Sequence, residues 1–274
     1  MTDAPAGQAT VRGTLPLYKK PEPINVQAHK GKGLKYSDKP FEFAAGTHYV
    51  PVTLGEFASA CGRYPIIFLG ENKTPVAAMG LRKGENLFVD PETFQMERFA
   101  YLPAFIRRYP FVAATHPDDK DRFTVCVDGE CHLMSDKPDE AFFNDDGEPT
   151  DFLNRAIDFV RRYETDVKAT QDFIAEMEKL ELFDQQQATF QPRDAQGQPV
   201  GEKQIIENYW AVSGEKLKAL SGKKLAELRD NTYLAAIYAH MMSLPQWELL
   251  INRAMARQNT QNGAATTAPP PPEA

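Results

Sequence analysis

One long amphipathic segment constrains the fold of this chain more than any other feature. From Asp151 to about Leu182, apolar residues recur at the three-to-four-residue spacing of an α-helix. Thr150 is placed to cap the first turn, and at about 1.5 Å per residue the helix would be roughly 45 to 50 Å long. Polar Thr170 and a broad aromatic flank do not suit the narrow seam of a coiled coil. The pattern therefore predicts a helix that lies across a sheet.

The first half of the chain has the shorter patterns of β-strands. A strand is predicted at 47–52, followed by a capping box in which the Thr53 hydroxyl and the Glu56 carboxylate each satisfy a backbone N–H. The next three strands are predicted to form a meander, and they cover 65–69, 75–81 and 86–89.

The densest stretch of aromatic and basic residues runs from Met96 to Met134. Asp128-Gly129 lies between two strand-like runs and predicts a type I′ hairpin. Upstream, two prolines bracket a single helical turn that contains Arg107 and Arg108. Adjacent residues do not share a face, so at most one of these arginines is expected to reach inward to a carboxylate or a ligand.

The second half continues with a hairpin over 183–210 and two helices, at 221–229 and 232–244. Pro245 suits the first turn of a third helix that ends at Arg257. We predict an α+β fold in which the antiparallel sheet of the first half is covered by the long helix and the C-terminal helices. The predicted division is a flexible N-terminus (1–14), one domain (15–257; β-rich over 15–140, helix-rich over 150–257) and a disordered proline-rich tail (258–274).

Composition narrows the function classes. A net charge of −7 without a basic stripe argues against nucleic acid as a partner. The sequence has no secretory signal pattern and no run long enough for a transmembrane segment. Three cysteines fit reduced thiols better than a disulfide framework. We therefore expect a cytoplasmic location, with leaderless export left open.

Few motifs point to catalysis. The chain lacks the P-loop, the Gly-x-Ser-x-Gly elbow and the dinucleotide-binding glycine motif. The Cys-x4-Cys-His run that ends at His132 has no second half-site, so no metal or other cofactor is predicted there. His116-Pro-Asp118 has the spacing that begins an iron-binding facial triad, which His240 could complete. The alternative hypothesis is accordingly a metal-dependent (non-haem iron) oxygenase or tailoring enzyme. The competing interpretation of His116-Pro-Asp118 is a solvated turn.

Several blocks in a fixed order resemble the SapC family of bacterial proteins. The resemblance covers about 16–251, and it rests on 43–52 (FAAGTHYVPV), 64–69 (YPIIFL), 84–90 (GENLFVD), 101–111 (YLPAFIRRYPF) and 237–244 (IYAHMMSL). It implies a link to the bacterial surface layer and its transport. Members are often encoded beside outer-membrane receptors and flavin halogenase-like proteins, and the resemblance supplies no catalytic residues.

The resemblance also selects candidate site residues. Four residues fall inside the recurrent blocks and are predicted to bind a ligand: Arg107, Arg108, His48 and Glu85. The binding pocket is expected near Arg107, Arg108 and His48. His116-Pro-Asp118 falls outside, which weakens the metal reading. We predict a non-catalytic accessory or binding protein for surface-layer or envelope-associated processes, with a protein partner or a small envelope-related ligand. A third hypothesis is that the protein is a surface-layer subunit that self-assembles.

Overall fold

The computed structural model describes residues 16–115, 123–191, 198 and 202–266, with side chains as far as Gln258. The described strands, in chain order, are β1 (Pro21–Pro23), β2 (Gly33–Leu34), β3 (Tyr49–Pro51), β4 (Ile66–Leu69), β5 (Thr74–Ala78), β6 (Phe111–Thr115), β7 (Phe123–Asp128), β8 (Met134–Ser135), β9 (Glu140–Ala141), β10 (Phe183–Phe190) and β11 (Gln204–Val212). The described α-helices are α1 (Val26–His29), α2 (Phe57–Ala60), α3 (Ala104–Arg107), α4 (Asp151–Lys179), α5 (Gly214–Ala219), α6 (Gly222–Asp230), α7 (Tyr233–Ser243) and α8 (Gln246–Thr266).

The described strands form three antiparallel sheets, and the α+β prediction is confirmed. The largest sheet has the order β10-β11-β4-β5-β3, the second β1-β7-β6 and the smallest β8-β2-β9. Two edge strands, β3 of the largest sheet and β6 of the second, matter for the candidate site. None of the described helices combines the length and apolar character that crossing a bilayer requires.

The long helix α4 ties two of these sheets together. It begins as predicted at Thr150, whose hydroxyl accepts a hydrogen bond from the Leu153 N–H. The first half of α4 buries Leu153 and Val160 in a cluster with Phe111 of β6. Its second half buries Phe173, which stacks on Phe68 of β4 with ring centroids 6.4 Å apart. The predicted helix is confirmed, and it crosses two sheets rather than one.

The prediction of a third meander strand at 86–89 is wrong. β4 and β5 form as a hairpin, but 86–89 is not a regular strand: the Leu87 N–H donates to the Met79 carbonyl, and Val89 makes an isolated bridge to Met96. The guanidinium of Arg257 in α8 donates instead to the carbonyls of Asn86, Leu87 and Val89. A side chain from the far end of the sequence thus takes the acceptors that a neighbouring strand would use.

The hairpin predicted at Asp128-Gly129 is also wrong. β7 pairs with β6 on one side and β1 on the other, and the chain after Gly129 leaves for the smallest sheet. The Asp128 carboxylate is fully buried and accepts hydrogen bonds from the backbone N–H groups of Lys19 and Lys20 and from the Tyr109 hydroxyl. These bonds hold the segment before β1 against β7, so Asp128 acts as an anchor instead of a turn residue.

The C-terminal predictions largely hold. β10 and β11 form the predicted hairpin, and α6 and α7 match the predicted helices. α8 starts after Pro245 as predicted but continues to Thr266, past the predicted end at Arg257. Helix therefore extends into the stretch predicted as a disordered tail. The N-terminus predicted to be flexible (1–14) and the residues after Thr266 lie outside the described part of the chain.

Candidate ligand-binding groove

The short helix α3 is held in place by a buried carboxylate. Glu56 forms the predicted capping box with Thr53, and its side chain also accepts hydrogen bonds from the Tyr101 hydroxyl at 3.0 Å and the Ala104 N–H at 2.6 Å. The start of α3 is therefore fixed to the turn that follows β3. This anchoring sets the directions of the two arginines that end the helix.

Arg108 points into the protein. Its side chain is 4% exposed, and its guanidinium lies over the rings of Phe105 and Tyr163, 4.5 and 4.3 Å from their centroids. One nitrogen, Nη1, lies 3.3 Å from a carboxylate oxygen of Glu164 on α4. The buried Nε has no hydrogen-bond partner among the described residues. Arg108 is thus a buried cation whose donors are only partly used.

Arg107 points outward. Its Nε donates to the Leu102 carbonyl at 2.9 Å, one Nη donates to the Tyr101 hydroxyl at 3.2 Å, and the guanidinium lies over the Phe159 ring. The prediction that only one of the paired arginines reaches an inward carboxylate is confirmed, and that residue is Arg108.

Arg108 lines a cavity of about 700 Å³ that runs along α4. We call this cavity the α4 groove. Its walls come from the edge of β6, from the β3–β5 side of the largest sheet and from α4 itself. Besides Arg108 and Glu164, the residues that define it are Pro51, Pro75, Ala113, Thr115, Val167 and Ile174.

The two ends of the α4 groove differ in charge. At one end, burial raises the pKa of Glu164, and the positive charge of Arg108 opposes that rise. At the other end lie Glu71 and Glu178, and the latter forms an ion pair with Lys73. The lining between them mixes apolar side chains, among them Val167 and Ile174, with polar ones such as Thr170 and Gln171. The arrangement suits an amphipathic ligand with a negative group beside Arg108.

His48 and Glu85 lie together at a different place. Both approach Gly80, where an added β-carbon would meet the Glu85 carbonyl oxygen at 2.1 Å and the His48 Cβ at 3.1 Å. The His48 ring packs on Tyr49, and burial lowers the pKa of His48. The structure brings Arg107 and Arg108 together on α3 and gathers His48 and Glu85 around a close backbone approach. A binding role for these four residues stays a prediction.

One of the three ligands in the non-haem iron hypothesis, His240, is not available to a metal. His240 is fully buried, its Nδ1–H donates to the Ile66 carbonyl at 2.8 Å, and its Nε2 accepts from the Val212 N–H at 3.1 Å. Both ring nitrogens are occupied, so His240 does not offer a lone pair to a metal. His116 and Asp118 lie outside the described residues. Across the described ranges, no group of three or more histidine, cysteine or acidic residues is placed to hold a metal ion.

The cysteines show no metal or disulfide chemistry in their surroundings. All three are free. Cys126 is buried in β7, where burial raises its pKa to about 11, and burial also raises the pKa of Cys131. His132, the third member of the motif, is exposed and contacts the Lys39 carbonyl. Cys126 and Cys131 therefore pack inside the protein, and His132 lies at its surface.

Comparison with known proteins supplies the family. The SapC family model matches residues 24–250, which include the α4 groove and the surroundings of Gly80. The chain belongs to the SapC family. No curated protein and no solved structure matches it.

Sequence reasoning missed several residues of the groove in this SapC protein. Glu164, the partner of Arg108, follows Tyr163 in the helical pattern, and a glutamate at the flank of a buried row was the available signal. Ala113 and Thr115 carry no chemical signature of their own. Their role as wall residues follows from β6 being an edge strand, which only the sheet order reveals.

Proposed function

We propose that this SapC-family protein is a non-catalytic accessory or binding protein for surface-layer or envelope-associated transport, and that the α4 groove is its binding site. The family membership supports the link to the surface layer. The observation that carries the binding role is Arg108, whose side chain is 4% exposed and lines the 700 Å³ groove. Its Nε lacks a hydrogen-bond partner among the described residues.

The physical argument starts from the free energy of a buried charge. A guanidinium removed from water is destabilising unless its donors are satisfied. The contact of Arg108 with Glu164 is long at 3.3 Å, and its Nε has no hydrogen-bond partner among the described residues. A ligand carboxylate or phosphate would satisfy the remaining donors in a fork geometry that arginine favours. The groove also falls in the size range of small-ligand sites, roughly 300 to 1,000 Å³.

The side chains of the groove support a binding role over a catalytic one. Its described lining contains no histidine, cysteine, lysine or serine. Its four threonines therefore lack, within that lining, the histidine or lysine that commonly activates a hydroxyl nucleophile. Glu164 carries a raised pKa, but its carboxylate faces Arg108 and acts as a counterion.

Native mass spectrometry with metal analysis tests the proposal. Wild-type protein purified from its own source should retain a molecule or a partner protein, and the Arg108→Met variant should retain much less. Arg161→Met is the matched control, because Arg161 lies on the exposed face of α4 and pairs only with Asp158 among the described residues. A bare wild-type polypeptide, together with failed pull-downs of envelope proteins, would contradict the binding role. A stoichiometric metal would favour the enzyme alternative.

We also propose that the protein acts in the cytoplasm. The three free cysteines support this compartment, because a reducing environment keeps thiols unpaired. Cell fractionation with an antibody against the native chain checks the location, and recovery in the surface-layer fraction would contradict it.

A further inference from the structure

The edge of β6 presents backbone groups in a known direction. The Asp128 N–H donates to the Pro110 carbonyl at 2.9 Å, and Phe111 lies opposite Val127 in the register. In an antiparallel pair, residues alternate between those that bond to the partner strand and those whose N–H and C=O point away from it. Counting from Pro110, the N–H and C=O groups of Ala113 point away from β7, and so do those of Thr115.

These outward groups face the α4 groove. Ala113 and Thr115 both line it. The outward groups of Phe111 are already used, because its N–H donates to the Arg108 carbonyl and its C=O accepts from the Tyr18 hydroxyl. Among the described residues, the outward N–H and C=O of Ala113 have no such partner. The open part of the β6 edge therefore begins at Ala113.

A second strand edge lies across the groove. β3 is the last strand of the largest sheet, and the Val52 N–H donates to the Pro75 carbonyl at 3.1 Å. By the same alternation, the Pro51 carbonyl points away from β5, and Pro51 lines the groove. Proline has no N–H to leave unpaired, which suits an edge position.

We propose that the α4 groove binds an extended peptide segment that adds as a strand to the β6 edge at Ala113 and Thr115 and places a carboxylate beside Arg108. This inference rests on the proposed function, because it names the ligand class of the same site. β6 runs away from Arg108, so an antiparallel ligand runs toward it and brings its C-terminal end to the guanidinium. The glutamates at the far end favour a basic residue upstream in the ligand.

The spacing of the open groups favours a peptide over a compact anion. Successive outward residues of one strand lie about 7 Å apart, which is the repeat of any other extended chain. Main-chain hydrogen bonds to such an edge supply affinity, and alternate side chains of the added strand enter the groove. A small anion would use Arg108 and leave the Ala113 and Thr115 groups unpaired.

The first test changes only the strand edge. A phage library of random octapeptides with free C-termini is selected on the wild-type protein, and an enriched peptide is synthesised for fluorescence anisotropy. Ala113→Pro removes the outward N–H and leaves the bonds to β7, so it should weaken binding about tenfold or more. Ala113→Ser keeps the N–H and should bind like the wild type. Thermal unfolding checks that both variants are folded. If Ala113→Pro does not fold, Thr115→Pro replaces it in the binding measurement.

The second test examines the carboxylate. Arg108→Lys and Arg108→Met should each weaken the peptide, with Arg161→Met as control. The same peptide is then compared with a C-terminally amidated form. Weaker binding of the amidated form identifies the terminal carboxylate as the group beside Arg108, and equal affinity assigns that contact to an acidic side chain of the peptide. Both results support the proposal. Peptides that bind Ala113→Pro as tightly as the wild type overturn strand addition. If a small molecule is instead lost from Arg108→Met and retained by Ala113→Pro, the proposed function stands and this inference fails. If the selection enriches no peptide, the inference is overturned. A bare protein in native mass spectrometry, together with failed pull-downs of envelope proteins, overturns both the inference and the proposed function.

Discussion

His240 occupies a place in the largest sheet that a main-chain hydrogen bond would otherwise fill. β11 and β4 pair at Trp210 and Phe68, and the next bonded pair along this register would be Val212 and Ile66. The His240 ring stands between these two residues, bonded to one N–H and one carbonyl. Because Nε2 accepts a hydrogen bond, the ring is neutral in the folded protein.

This geometry predicts a specific pH dependence of stability. Burial lowers the pKa of His240 from 6.5 to about 4. Between these values the unfolded chain binds a proton and the folded protein does not, so stability is full above pH 6.5 and falls as the pH drops toward 4. The shift corresponds to about 3 kcal/mol. Urea unfolding of wild type and His240→Gln across this window should show the stability difference between them narrowing toward pH 4.

The exposed His132 supplies the control for that measurement. His132→Gln should follow the wild-type curve, because its ring is exposed and contacts only the Lys39 carbonyl and the Phe43 ring among the described residues. Parallel curves for wild type and His240→Gln would contradict the assignment of a buried neutral ring.

Arg108 sets the protonation of its partner. Burial raises the pKa of Glu164, and Arg108 is the group that opposes this rise. Arg108→Met should therefore raise the pKa of Glu164 further, which ¹³C NMR of labelled glutamate carboxyls measures. Arg161→Met should leave it unchanged. An unaltered Glu164 pKa in Arg108→Met would mean that the contact at 3.3 Å has no electrostatic consequence.

At the scale of elements, a polar residue in the middle of α4 joins the helix to the turn after β3. The Thr170 hydroxyl donates to the Asp166 carbonyl at 2.6 Å and accepts from the Leu54 N–H at 2.8 Å. It thereby caps the short 3₁₀ turn Leu54–Glu56 from outside. This link also sets one wall of the α4 groove relative to another.

Removing the Thr170 hydroxyl should destabilise the protein. Thr170→Val leaves the partly buried Leu54 N–H without its acceptor and should lower the free energy of unfolding by about 1 kcal/mol. Thr165→Val is the matched control, because Thr165 makes the same bond back to the preceding turn, to Arg161, and caps no other element. Equal losses in the two variants would assign the effect to helix propensity instead.

Elements governed by neighbouring residues were predictable, and those governed by distant ones were not. The period of α4 and the cap at Thr150 are local signals, and both were confirmed. The segment 86–89 has strand composition, but Arg257 takes its carbonyls. Asp128-Gly129 has turn composition, but the Asp128 carboxylate binds the backbone before β1. No short-range pattern reveals such partners.

The candidate site divides in the same way. The opposite directions of Arg107 and Arg108 follow from their adjacency in the sequence, so this part was predictable. The partner on α4 and the open edge of β6 depend on which strands become neighbours. His48 and Glu85 were selected with the arginines by resemblance, but the fold places them around Gly80.

At the scale of the whole molecule, α8 connects the helix-rich second half to the β-rich first half. Arg253 forms a two-pronged ion pair with Glu97 and lies 4.5 Å from the centroid of the Phe88 ring. One turn later, Arg257 binds three carbonyls of the segment that begins at Asn86. One domain over 15–257 stays a prediction, and it implies that the two halves joined by these contacts unfold as a single unit.

Hydrogen exchange on the Arg257→Met variant tests whether the two halves unfold as a single unit. Loss of the three carbonyl contacts should lower the free energy of unfolding by about 2 kcal/mol. In one cooperative domain, peptides from β4 and β5 in the first half and from α7 in the second half should lose protection by the same amount. Arg229→Met is the control, since Arg229 is exposed and pairs with its neighbour Asp230. Loss confined to the segment around Asn86 would mean that α8 clamps a loop locally, and different losses in the two halves would divide the chain into two domains.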